Sequence, residues 1–149
     1  MKMNRFRYTN ALMIVLALVM PLALALPAGA QARLSDKDLG QRIKNMNEDI
    51  KRFHSAFNSS ITKTSLRKTT QEKEAKTQVE NFQKQANSLY QKFKSTKKSD
   101  PYLQNCLDLS AQIDKLLQSA QFDSTTISLW AKIKPELRML AVQFNVPGH

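Results

Sequence analysis

Residues 130–146 read W-A-K-I-K-P-E-L-R-M-L-A-V-Q-F-N-V, and this stretch decides the fold. Trp130, Ile133, Leu137, Leu140 and Phe144 recur at steps of three, four, three and four. At 3.6 residues per helical turn, that spacing gathers them into one apolar stripe. One helix cannot cover its own stripe, so the preceding chain must supply partner surfaces. It does so three times.

Working back towards the N-terminus, Leu103, Cys106, Leu109, Ile113, Leu116, Leu117 and Ala120 form a broad apolar face, expected to be the most buried of all. Asp100-Pro101 precedes it, with proline at a helix start, where its missing N–H is not needed. Ala75, Val79, Phe82, Ala86, Leu89 and Phe93 form another stripe, opened by a capping box of Thr69 and Glu72. The cleanest helical signal is Leu39, Ile43, Met46, Ile50, Phe53 and Phe57, opened by Ser35 with Asp38 three residues on. Gly40 near its start costs about 1 kcal/mol relative to Ala. Between these two helices, residues 58–70 are rich in Ser and Thr and read as a turn region. Asp123 or Ser124 can cap the last helix, Pro135 inside it predicts a kink, and Asn145 with Pro147-Gly148 ends it.

The expected fold is therefore all-α, a four-helix up-down-up-down bundle with helices over about 35–58, 69–95, 100–120 and 124–145. The rival is a long hairpin of the first two helices with the last two folded against one end. The expected core comprises Ile43, Ile50, Phe53, Phe57, Val79, Phe82, Leu89, Ile113, Leu117, Trp130, Leu137 and Leu140.

The first 32 residues do not belong to this pattern. Lys2, Arg5 and Arg7 are followed by an apolar run over 11–26 broken by Pro21, and then by small residues ending in Ala-Gly-Ala at Ala30 and Ala-Gln-Ala at Ala32. That order is a cleavable signal peptide, with cleavage after Ala30 or Ala32. No Cys stands near the site to accept a lipid, so a soluble exported product without a transmembrane span is expected, periplasmic or secreted. Without the segment, 117 of the 149 residues stay, and the 23 Lys and Arg fall to 20 against 12 Asp and Glu, a net charge of about +8. The single Cys106 makes an internal disulfide impossible, so stability must come from packing. On its apolar face a buried, inert thiol is expected, although an exposed one could cross-link a dimer.

The last helix, through Trp130, Ile133, Lys134, Leu137, Leu140, Ala141, Phe144, Asn145 and Val146, resembles the W-x-x-I-K-x-x-L-x-x-L-A-x-x-F-N-V signature of a group of uncharacterised small exported bacterial helical-bundle proteins. The resemblance implies a helical bundle and export, and it implies no activity.

Catalytic chemistry finds little purchase. His54 and His149 are the only histidines, and neither stands in a pattern with a nucleophile. The chain lacks H-x-x-x-H, paired Cys, Glu-x-x-His and C-x-x-C-H. No catalytic residue, metal ligand or cofactor is assigned, and a non-enzymatic module is expected. The alternative is a Met/His haem or metal carrier using Met46, Met139, His54 or His149. Asn58-Ser59-Ser60 matches a glycosylation acceptor, a short pattern of low specificity.

Charge is the remaining signal. Residues 62–98 carry ten Lys and Arg against Glu72, Glu74 and Glu80. The candidate anion-binding residues are Lys63, Arg67, Lys68, Lys73, Lys92, Lys94, Lys97 and Lys98, which avoid the stripe of the second helix and crowd its outer face and ends. The expected partner is an anionic envelope component or an acidic protein, with nucleic acid disfavoured by export. The competing explanation is a solvated face that keeps the protein dissolved.

Overall fold

The computed structural model describes residues 33–146. Among them are four helices and no strand: α1 (Asp36–Ile61), α2 (Thr70–Thr96), α3 (Tyr102–Ser119) and α4 (Ser124–Gln143). The expected signal peptide, with its cleavage sites, and His149 lie outside the described residues. Among the described residues no helix is long and apolar enough to cross a membrane.

Side chains start three of the helices. Ser35 Oγ accepts the Asp38 N–H at 3.2 Å and donates to the Asp38 carboxylate at 2.6 Å. Thr69 Oγ1 accepts the Glu72 N–H at 3.2 Å, and the Glu72 carboxylate reaches back to the Lys68 N–H at 2.6 Å. At α4 it is Asp123 that caps, taking the Thr126 N–H at 2.8 Å. Each cap satisfies a first-turn donor that has no partner inside its helix. Pro101 stands at the cap position of α3, just outside the helix, and brings no side-chain hydrogen bond.

Helix ends differ from expectation at α1. It continues to Ile61 because Ile61 lies four residues beyond Phe57, extends the stripe and is fully buried. The hydroxyls of Ser55, Ser59 and Thr62 fold back onto carbonyls three or four residues earlier, so this Ser/Thr-rich segment satisfies itself locally while remaining helical. The turn over 62–69 is tucked in by Leu66, which is 8% exposed. At the other end of the chain, α4 runs unbroken through Pro135. Pro135 removes the donor for the Ala131 carbonyl, and both residues are exposed, where water is at hand to replace it. Asn145, with φ of 52°, closes α4: its N–H binds the Val142 carbonyl, and the Val146 N–H reaches the Ala141 carbonyl. These two bonds make a Schellman motif.

Close backbone approaches join α1 to α2, α2 to α3, α3 to α4 and α4 to α1, while α2 and α4 face each other diagonally and meet through side chains, as Phe82 does with Trp130. The α3–α4 junction is the sparsest of the four. Arg42 near the start of α1 pairs with Glu136 in the second half of α4 at 3.1 Å, and Asn105 at the start of α3 bonds Gln85 of α2 at 3.1 Å. Near the far end the Asp123 N–H donates to Ser60 Oγ at 2.9 Å.

The core centres on aromatic rings. Trp130 lies 5.0 Å from Phe53 and 5.6 Å from Phe82, and Phe53 and Phe57 are 5.9 Å apart. Pairs at such separations add about 0.5–1.5 kcal/mol beyond their area burial. Every expected core residue is buried except Leu117, which is half-buried. The expectation that α3 is the most buried helix fails. It buries Leu103, Cys106, Leu107 and Ile113, whereas α1 buries nine residues. Because α3 meets α4 only sparsely, Leu109, Leu116 and Leu117 pack at the edge of the core.

Candidate anion-binding surface

The two lysines of 62–98 left out of the candidate set prove to be the ones that α2 pairs with carboxylates. Lys76 bonds Glu72 at 2.6 Å and Lys84 bonds Glu80 at 2.7 Å, each at the i,i+4 spacing that places side chains on one helical face. The hydrogen bond from Lys76, joined by the Lys68 N–H, holds the Glu72 carboxyl below its ordinary pKa, and the bond from Lys84 does the same for Glu80. Lys76 and Lys84 are thus compensated within the helix itself.

The other cations of residues 62–98 are not. Lys63, Arg67, Lys68, Lys73, Lys92, Lys94, Lys97 and Lys98 take part in none of the salt bridges among the described residues. All are exposed except Lys92, which is half-buried. The fold brings them together as two groups. Lys63, Arg67 and Lys68 occupy the α1–α2 turn with Lys73 just inside α2, while Lys92 and Lys94 belong to the last turns and Lys97 and Lys98 follow the helix end. About 30 Å of helix separates Lys73 from Lys92. That is several times the Debye length of roughly 8 Å at physiological salt, so each group acts on an anion independently.

The groups differ in what surrounds them. At the turn end, Lys63 borders a groove otherwise formed by Thr64, Ser65 and residues 118–121, and its charge lies near the Asp123 carboxylate. Arg67 likewise lies near Glu72. At the opposite end a groove of about 340 Å³ runs between the start of α1 and the end of α2. Lys37 and Lys44 line one wall, Lys94 and Lys97 the other, with Tyr90 and Phe93 between them and Asp36 as the one carboxylate. Charge counting along α2 missed Lys37 and Lys44. Their signal was nonetheless present, since Lys37, Gly40 and Lys44 lie three and seven residues apart on one face of α1.

Two backbone features build this groove. Gly40 lets α1 approach α2: a Cβ there would stand 3.3 Å from the ring of Phe93, which is 2% exposed. Lys97 has φ of 58°, in the left-handed region, and its N–H closes α2 on the Phe93 carbonyl at 2.9 Å. This conformation sets the Lys97 ammonium 5.4 Å from the Phe93 ring centroid and 3.5 Å from the Lys94 carbonyl.

The residues weighed for a cofactor lie elsewhere. Met46 is buried in α1, Met139 is half-buried in α4, and the His54 ring nitrogen is 3.0 Å from Asn58 Nδ2. That contact holds the amide nitrogen of the glycosylation-like triplet inside α1. Among the described residues no three His, Cys, Asp or Glu side chains gather as metal ligands would. Compared with known proteins, the chain matches no family model, and neither a curated protein nor a solved structure is significantly similar to it.

Proposed function

We propose that this chain is a non-enzymatic, exported helical-bundle module of the cell envelope that contacts an anionic envelope component or an acidic protein through the basic ends of α2. The observation that carries this reading is the contrast along one helix. Lys76 and Lys84 of α2 are matched with glutamates, while the eight other cations of residues 62–98 take part in no salt bridge among the described residues, and all but the half-buried Lys92 are exposed. A surface tuned only for solubility is better served by interspersed signs of charge.

Export is supported by the signal-like order of residues 1–32 and by the resemblance of the last helix to those of small exported bundles. An up-down-up-down course is supported by bonds that join early positions of one helix to later positions of its neighbour, Arg42 with Glu136 and Asn105 with Gln85, and by the bond of Ser60 at the end of α1 to Asp123 just ahead of α4. Under this reading the protein sediments with vesicles containing anionic lipid, is released as salt rises, and ignores neutral vesicles. Charge reversal at Lys92, Lys94, Lys97 and Lys98 should abolish much of that binding. Binding unchanged by the reversal would remove α2 from the contact.

A further inference from the structure

We propose that the groove between the start of α1 and the end of α2 is a binding site for a phosphomonoester or pyrophosphate group, held between Lys37 and Lys44 on one wall and Lys94 and Lys97 on the other. This rests on the reading of α2 as an anion-contacting helix and narrows it to one site and one ligand chemistry.

Three departures from local preference coincide here. Gly40, a poor helix former, lies in α1 where the two helices close on each other. Lys97 occupies a left-handed backbone position that a glycine fills more cheaply. Among the described residues, four lysines line a groove with a single carboxylate, Asp36, among them. Each is unfavourable by itself, and such departures gather where a site is maintained against local stability. Together they leave an open, positively charged groove with one ammonium held in advance between the Phe93 ring and the Lys94 carbonyl.

The donor set selects the ligand. Among the described residues no arginine lines the groove, so the planar fork that grips a carboxylate bidentately is missing from its lining. Lysines act as point charges with rotatable N–H donors, which suits the three oxygens of a phosphate. Four cations against one carboxylate leave an excess of three charges, matched by a doubly or more highly charged anion. A phosphomonoester carries about −1.5 to −2 at neutral pH. The volume of about 340 Å³ admits a headgroup-sized ligand. Tyr90, half-buried at the same groove, offers a hydroxyl donor. The N-terminal end of α1 adds its partial positive charge, while Lys94 and Lys97 offset the negative end of α2.

The test is calorimetric titration of the purified protein with inorganic pyrophosphate, beside vesicles of phosphatidic acid, phosphatidylserine or neutral lipid. The expected result is saturable binding of one pyrophosphate per chain, weakened at least about tenfold for each lysine lost in Lys44→Gln/Lys94→Gln. Lys115→Gln/Lys132→Gln, exposed on α3 and α4 outside both basic groups, should leave it unchanged, with circular dichroism confirming that both variants fold. Preference for phosphatidic acid, competed by pyrophosphate, would assign the phosphate to a lipid; pyrophosphate binding without vesicle preference would assign it to a non-lipid phosphate. Absence of saturable pyrophosphate binding, or equal loss in both double variants, overturns the site. If anionic vesicles still bind in that event, the broader contact role of α2 stands without the groove; if they do not, both fall.

Discussion

Lys68 and Lys97 show how single residues set the ends of α2. Their φ values of 62° and 58° lie where L side chains crowd the following carbonyl. At Lys97 the conformation places an ammonium in a groove. At Lys68 the side chain makes no hydrogen bond or ion pair among the described residues, and only the backbone N–H is used, donated to Glu72. Glycine keeps that donor and removes the crowding, at some cost in unfolded-chain entropy. Lys68→Gly should therefore stabilise the protein by about 0.5–1 kcal/mol, read as a higher urea midpoint at unchanged slope. Neither left-handed lysine was legible beforehand, because lysine has no preference for that region. Asn145 was legible, since asparagine tolerates it and stands where the stripe stops. Gly40 was legible only as a cost to α1. Its use, making room for Phe93, depends on a residue in another helix.

Between elements, the sparse α3–α4 junction depends on one carboxylate. Asp114 of α3 accepts the Trp130 indole N–H at 2.8 Å and pairs with Lys134 at 2.7 Å, both on α4. Partial burial opposes its ionisation, but the bonds from Lys134 and Trp130 and the nearby charges of Lys134 and Arg138 outweigh that effect and hold its pKa below the ordinary value. Asp114→Ala leaves the N–H of Trp130, a residue only 4% exposed, without its partner, and should cost about 1–3 kcal/mol near neutral pH. The pH dependence has a definite sign. With the folded pKa depressed, the unfolded chain binds the proton more readily, so this contribution is complete above the ordinary value of about 3.9 and is lost as pH falls through the folded value. The difference in melting temperature between wild type and Asp114→Ala should therefore shrink as pH is lowered below about 4. Asp114 itself carried no sequence signal beyond following Ile113; its importance comes from facing Trp130 across a helix pair.

At the scale of the whole molecule, cohesion comes from one shared core. Cys106 reports on it. The thiol is fully buried against α3's neighbours, and burial pushes its pKa up to about 12. Labelling by a thiol-specific reagent then requires the helices to open. The native protein should react at least about a thousandfold more slowly than the denatured one, and it should form no disulfide-linked dimer under mild oxidation. Rapid stoichiometric labelling would show that α3 leaves the bundle easily, which its sparse contact with α4 makes the first place to look.

The sequence by itself determined the helices and their inward faces, because a stripe at steps of three and four has one low-energy use, burial against similar stripes. It determined the caps at Ser35 and Thr69, because a hydroxyl three residues before an acidic side chain satisfies local donors with no help from the rest of the chain. It also marked the eight candidate cations, because charge is a property of composition. Only the tertiary structure decided how much of each face is covered. Leu109, Leu116 and Leu117 read like core residues yet lie at its edge, since coverage depends on which helices become neighbours. Only the tertiary structure divided the cations into two groups and joined Lys37 and Lys44 of α1 to Lys94 and Lys97 of α2. Lys44 and Lys94 stand fifty residues apart in the chain. Packing of two helices around Gly40 and Phe93 places them on one groove, and no local pattern encodes that meeting.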